Sequence, residues 1–125
     1  MKLRIRGNSI RLRLSQTEVS SLEAGGSVSD RIVFAPGAHL TYQLVVDAAA
    51  DATRASFENG NVTVTLPNTV LRNWLAPAEV SIHGRQELGG GEELTILVEK
   101  DFACLEPREG EDQENLFPNP GSKAC

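Results

Sequence analysis

The feature that most constrains the fold is a similarity of the sequence to itself at an offset of 52 residues. At this offset Gly7-Asn8 aligns with Asn59-Gly60, and Asn-Gly is a strong signal for a β-hairpin turn. Alternating apolar residues follow both turns, which is typical of half-buried strands: Ile10, Leu12 and Leu14 align with Val62, Val64 and Leu66. Because any two alternating strands match at an even offset, the turns and helices carry more weight. The sequence therefore predicts two copies of one unit.

The rest of the unit is a short helix followed by two strands. Ser15 and Glu18 have capping-box spacing and predict a helix at about 16–24, whereas Pro67-Asn68 opens one at about 69–76. Strands are expected at 28–34 and 40–46, and again in the segments EVSIHG and ELTILVE. The same offset aligns four further pairs: Tyr42 with Leu94, Leu44 with Ile96, Val46 with Val98, and Gly37 with Gly89.

These patterns predict an α+β fold with a duplicated strand-strand-helix-strand-strand unit, over residues of about 1–50 and 54–102. We expect seven or eight strands in an antiparallel sheet, which could close into a barrel. In such a barrel the polar interior would come from arginine and threonine positions such as Thr41, Thr63 and Thr95.

The regular pattern ends after Phe102. Residues 1–104 are expected to form a single domain, and 105–125 an irregular tail with five acidic residues among 106–114. Leu105, Leu116 and Phe117 could anchor this tail on the domain. Because the tail is acidic, we expect it to dock near the basic N-terminal hairpin, over the first two strands or their edge.

Composition narrows the function classes. The formal net charge is −5, which argues against general nucleic-acid binding. No apolar run is long enough to span a bilayer, and the segment after Met1 is charged, so we expect a soluble cytoplasmic protein without a membrane partner. Cys104 and Cys125 are either two thiols or one disulfide, and with His39 and His83 they lack zinc-ligand spacing. No cofactor is predicted.

The candidate binding site is a cationic strip in the first fourteen residues, which contain five of the chain's twelve basic residues and no acid. Pairing through Gly7-Asn8 places two pairs of like charges opposite each other, which is destabilising, while arginine suits carboxylates and phosphates. The strip is either a solvated face, a surface covered by the acidic tail, or the site of an anionic ligand or acidic protein surface. It consists of Lys2, Arg4, Arg6, Arg11 and Arg13.

Catalytic signals are weak. Glu99 and Asp101 share one side of the last strand and are the candidate metal ligands, although such carboxylates are more often solvated or paired with arginine. His83 falls on the polar side of its strand, and no catalytic triad order, P-loop or HExxH motif is present. We expect a non-catalytic binding module; the alternative is a phosphoryl hydrolase that uses the arginines as a phosphate clamp.

Two segments, RIRGNSIRLRLSQTEV and ILVEKDFACLEPREGEDQENLFPNP, resemble a family of short bacterial proteins without an assigned function. The duplicated plan is also similar, remotely, to the CYTH-like triphosphate hydrolases. That resemblance implies a barrel whose tunnel holds polyphosphate on basic residues and a divalent metal on glutamates. The ExExK signature of those enzymes is absent, because Lys2, Arg4 and Arg6 stand on the matching strand.

Overall fold

A computed structural model describes residues 1–101 and Phe117. In this part of the chain the elements are β1 (Lys2–Arg6), β2 (Ser9–Leu14), α1 (Gln16–Gly25), β3 (Ser27–Ala35), β4 (Ala38–Asp47), β5 (Arg54–Glu58), β6 (Asn61–Pro67), α2 (Asn68–Trp74), β7 (Ser81–Gly89) and β8 (Glu92–Lys100). The α+β class is therefore confirmed.

The local signals that start the elements act as expected. The Ser15 side chain accepts a bond from the backbone of Glu18, and the Glu18 side chain accepts one from the backbone of Ser15, so the capping box is confirmed. Helix α1 is capped at its C-terminal end by Gly26, which adopts the left-handed conformation that glycine tolerates best. The predicted pairing of the first hairpin is also confirmed, with Ile5 opposite Ile10 and Leu3 opposite Leu12.

The eight strands form two mixed sheets rather than one antiparallel sheet. The first sheet has the order β1-β2-β8-β7 and the second has the order β3-β4-β6-β5. Each sheet joins two antiparallel hairpins through one central parallel pair, β2 with β8 and β4 with β6. The expectation of an antiparallel sheet was wrong because the sequence signals local hairpins and carries no comparable signal for the pairing between them.

Closure into a barrel is not shown. Among the described residues, no strand of one sheet forms a ladder with a strand of the other. The outer strands β5 and β7 are instead linked through a side chain, since the Ala55 N–H donates to Gln86 Oε1 at 2.9 Å.

The hydrophobic core is built from the apolar phase of both central strand pairs together with the helices. Its buried members are Ile10, Leu12, Leu14, Val19, Leu22, Leu44, Val64, Leu66, Leu71, Trp74, Ile82, Ile96 and Val98. Thr41, Thr63 and Thr95 fall on the opposite phase from Leu44, Val64 and Ile96. The expected polar interior was therefore wrong, because the two sheets bury leucine, isoleucine and valine between them.

The two halves of the chain repeat the same element order with equivalent pairing. The first hairpin and helix correspond at the offset of 52, which matches Leu22 with the buried Trp74. The second hairpins of the two halves, β3–β4 and β7–β8, correspond at an offset of 54 residues. The facing pair Ser27 and Val45 in the first matches the facing pair Ser81 and Glu99 in the second. The predicted alignment of β4 with β8 was thus two residues out of register, since the connection after α2 is longer than that after α1.

Backbone hydrogen bonds between elements follow the same correspondence. Thr41 N–H donates to the Gly60 carbonyl at 2.9 Å, and the equivalent Thr95 N–H donates to the Asn8 carbonyl at 3.1 Å. Both second hairpins also contain a register shift at matching positions, between Val33 and Ala35 and between Glu87 and Gly89. Each position in one sheet can therefore be compared with its counterpart in the other.

Candidate functional site: the cationic face of the first sheet

The cationic strip lies on the outer face of the first sheet. On β2, Arg11 and Arg13 alternate with Leu12 and Leu14, which are buried in the core. The predicted like-charge pairs are present, since Lys2 faces Arg13 and Arg4 faces Arg11. A basic tunnel of the kind that CYTH-like enzymes use would need these side chains inside a barrel, whereas they face away from the core.

The outer face is ordered into rungs by the strand register. From β1 across β2 and β8 to β7, the three rungs are Lys2, Arg13, Glu99 and Ser81; Arg4, Arg11, Leu97 and His83; and Arg6, Ser9, Thr95 and Arg85. The parallel pairing of β2 with β8 thus brings the C-terminal acids beside the N-terminal cations.

Glu99 is the counter-ion of the two β2 arginines. Its side chain is only 7% exposed, and its Oε1 accepts a hydrogen bond from Arg11 Nε and lies 3.5 Å from Arg13 Nε. Its second oxygen accepts a bond from Ser81 Oγ at 3.3 Å. A buried carboxylate held in this way neutralises charge that would otherwise be repulsive across the hairpin.

Asp101 performs the same task for β1. The Lys2 ammonium lies 2.8 Å from Asp101 Oδ2, and the carboxylate is 8% exposed. The Asp101 backbone donates to the Leu14 carbonyl at 2.8 Å, which fixes it just beyond the end of β8. Glu99 and Asp101 were considered as metal ligands from the sequence, but in the structure both are engaged by basic side chains.

Arg4 and Arg6 differ from the other three residues of the strip. Both are exposed on the edge strand β1, and neither forms an ion pair with any residue that the structure describes. Arg6 lies opposite Ser9, whose hydroxyl group could contribute a further donor. Within the described part of the chain, the predicted site thus divides into three cations with acidic partners and two cations without one.

Lys100 is a buried cation that the sequence reasoning missed. Its Nζ donates to the Ala76 carbonyl at 2.9 Å and lies 5.9 Å from the Trp74 ring centroid and 5.7 Å from that of Phe117. Burial lowers the pKa of Lys100, and the negative charge of Glu79 partly opposes this effect. The sequence contained a signal for this burial, because Lys100 lies on the same side of β8 as the apolar residues Ile96 and Val98.

Phe117 packs against the core, and its N–H donates to the Asp101 carbonyl at 2.8 Å. The other proposed anchors, Leu105 and Leu116, lie outside the described residues, as do Cys104, Cys125 and the five tail acids. Docking of the tail and the cysteine pairing therefore stay predictions.

An apolar cleft also lies next to the first hairpin. This open cleft of about 230 Å³ lies between the first hairpin and β5–β6, lined by Ile5, Ile10, Phe57, Val62 and Leu94 with smaller residues and no charged side chain.

No group of three or more His, Cys, Asp or Glu residues suited to a metal occurs within the described ranges. Among the described helices, none is long and apolar enough to cross a membrane.

Comparison with known proteins gives one match that covers nearly the whole chain. Residues 1–121 match the family of unknown function DUF7009. The chain belongs to this family. The expected membership in a family without an assigned function is thereby confirmed.

Beyond the DUF7009 match, similarity is limited. A threonine-phosphate decarboxylase from Sinorhizobium sp. is 42% identical over 64 residues, which is 50% of this chain and 18% of that enzyme. The chain thus spans less than a fifth of the length of this relative. No solved structure matches the chain, and the remote similarity to CYTH-like hydrolases is not supported.

Proposed function

We propose that the protein is a non-catalytic binding module that holds an anionic small molecule or an acidic protein surface on the outer face of its first sheet. The observation that carries this proposal is the pair Arg4 and Arg6, which are exposed and uncompensated among the described residues. Neighbouring Lys2, Arg11 and Arg13 already have acidic partners. Guanidinium groups bind carboxylate and phosphate through paired hydrogen bonds, so this edge suits an anion.

The second sheet supports the proposal because the same fold is built there with one cation, Arg54 at the position of Lys2, in place of the five cations of the strip. At an offset of 52, Arg4 corresponds to Ser56, Arg6 to Glu58, Arg11 to Thr63 and Arg13 to Thr65. Thr63 accepts a neutral hydrogen bond from Gln43 at 2.9 Å. The hairpin therefore does not require cations at these places, which supports a role for them in binding.

The hydrolase alternative receives no support from the geometry. It would need the arginines around an enclosed phosphate, and Glu99 available to a metal. The arginines instead face away from the core, and Glu99 is held by Arg11, Arg13 and Ser81.

The test is the affinity of the full-length protein for phosphate and citrate, measured by calorimetry at fixed ionic strength. The double variant Arg4→Ser/Arg6→Ser should lose about tenfold or more in affinity, since charge-assisted hydrogen bonds contribute about 1.5–3 kcal/mol each. The matched control is Arg31→Ser/Arg72→Ser, which removes two exposed arginines elsewhere. Equal losses in both variants, or no binding to the wild-type protein, would refute the proposal.

We also propose that the two halves arose by internal duplication, which their equivalent order, registers and bulges support. Organisation as one domain over residues 1–104 and a cytoplasmic location remain predictions of the sequence.

A further inference from the structure

The outer face of the first sheet is not uniformly positive. Two carboxylates lie at one end of this face, because Glu99 stands in the first rung beside Arg13 and Asp101, just beyond the end of β8, pairs with Lys2. Both carboxylates are almost fully buried, so they are fixed parts of the face rather than mobile surface charges.

A second acidic boundary lies at the opposite end of the same sheet. Glu87 faces Glu93 at the far end of the β7–β8 hairpin, and Glu93 lies 3.4 Å from Arg85. The side chain of Asn8, in the turn of the strip itself, donates to the Glu93 carbonyl at 2.7 Å. The acidic hairpin end is thus held next to the turn between β1 and β2.

As far as residues 1–101 and Phe117 show, the positive charge without an acidic partner lies between these boundaries. Arg4 and Arg6 are two residues apart on β1, which is about 7 Å, and β2 lies about 5 Å away. Arg11 faces Arg4, and its bond to Glu99 uses the Nε–H, one of five donors on a guanidinium group. A region of this size is suited to one phosphate-sized group rather than to an extended chain of charges.

Building on the proposed function, we infer that the ligand is a small molecule with one compact dianionic group, such as a phosphate monoester, held by Arg4, Arg6 and Arg11. Glu99 determines this specificity. It neutralises the β2 arginines on the side of the first rung and repels any negative charge that extends in that direction. A polyanion lying along the strip would meet Glu99 and Asp101 at one end and the Glu87–Glu93 pair at the other.

Calorimetry with the full-length protein tests the inference, using inorganic phosphate, glycerol phosphate and tripolyphosphate at constant ionic strength. The wild-type protein should bind all three within about threefold of one another, because only one group is seated. Glu99→Gln keeps the size of the side chain and one acceptor oxygen for the β2 arginines, and it removes the charge. This variant should bind tripolyphosphate about five to ten times more tightly, as expected for losing one repulsive charge at close range in a partly solvated site.

Glycerol phosphate distinguishes a phosphorylated small molecule from free phosphate. Binding of glycerol phosphate at least as tight as that of inorganic phosphate supports a monoester ligand, and markedly weaker binding overturns that part of the inference. If Glu99→Gln unfolds, the double variant Arg13→Thr/Glu99→Val replaces it. This variant carries the residues of the equivalent positions 65 and 45. It should bind tripolyphosphate more tightly than the wild-type protein but less tightly than Glu99→Gln would, because it also removes the positive charge of Arg13.

The two proposals fail in different ways. The first case is that the wild-type protein binds anions, that Arg4→Ser/Arg6→Ser lowers the affinity, and that Glu99→Gln leaves the affinity for tripolyphosphate unchanged. In that case only the inference about specificity is wrong. A wild-type affinity that climbs steeply from phosphate to tripolyphosphate would also overturn it. If neither the wild-type protein nor Glu99→Gln binds any of the three anions, the proposed function fails and the inference fails with it.

Discussion

The outer faces of the two sheets occupy equivalent places in the fold but are held together by different chemistry. In the first sheet, the buried carboxylate of Glu99 joins Arg11, Arg13 and Ser81 across three strands. The corresponding residues of the second sheet are Val45, Thr63, Thr65 and Ser27. Both sheets join two antiparallel hairpins through a central parallel pair. Since the second sheet forms without an ionic network at these positions, such a network is not required for a sheet of this topology to fold.

This difference predicts that Glu99 is indispensable only while its arginines are present. Glu99→Val alone should destabilise the protein by about 2–3 kcal/mol, because it leaves two partly buried guanidinium groups close together without a counter-ion. The triple variant Arg11→Thr/Arg13→Thr/Glu99→Val gives the first sheet the residue types that the second sheet has at the corresponding positions. It should return to within about 1 kcal/mol of the wild-type stability, since replacing a whole buried ionic cluster is often close to neutral.

Urea denaturation monitored through Trp74 measures both effects. The comparison between the sheets would be broken if the triple variant were as unstable as Glu99→Val, because the ionic network would then be required by the first sheet itself.

A second contrast lies at the ends of the central parallel strands, where buried Lys100 corresponds to Val46. Burial lowers the pKa of Lys100 below its usual value of 10.5. Between the two pKa values the unfolded chain binds more protons than the folded one, so stability from this group rises as pH rises through that window. Burying the charged lysine is therefore least favourable at neutral pH.

Lys100→Met should change stability by only about 1 kcal/mol at neutral pH, because the gain in apolar burial is offset by loss of the bond to Ala76 and the ring contacts. The free energy of unfolding of the variant should fall progressively relative to that of the wild-type protein as the pH rises towards 10.5. Burial, aided by Asp30 and Glu18, raises the pKa of Tyr42, but this contribution cancels in the difference between the two proteins. A difference that is constant from neutral pH upwards would contradict the assignment.

The local structure of both halves could be predicted from the sequence because its signals are short-range. Alternation in 2–14, the turns Gly7-Asn8 and Asn59-Gly60, and the capping box at Ser15 each specify a hairpin or a helix start. The parallel pairing of β2 with β8 joins residues more than eighty positions apart, and no local pattern specifies it. For that reason the sequence predicted that the basic residues share one face of the hairpin, which the register confirms. It could not show that Glu99 and Asp101 neutralise three of them.

The smallest effect on stability is expected for a substitution of Arg4, which is exposed on the edge strand β1 of the first sheet. Arg4 faces Arg11 on the neighbouring strand, whereas the corresponding Ser56 faces Thr63. Since like charges directly opposite are unfavourable, Arg4→Ser should leave stability unchanged or raise it by a few tenths of a kcal/mol, about 0.2–0.5. The same variant should weaken phosphate binding severalfold, because it removes a donor from the proposed site. Thermal unfolding with and without phosphate measures both quantities in one titration. A loss of more than about 1 kcal/mol in the absence of phosphate would show that Arg4 supports the first sheet, and the contrast with Ser56 would then reflect folding rather than ligand binding.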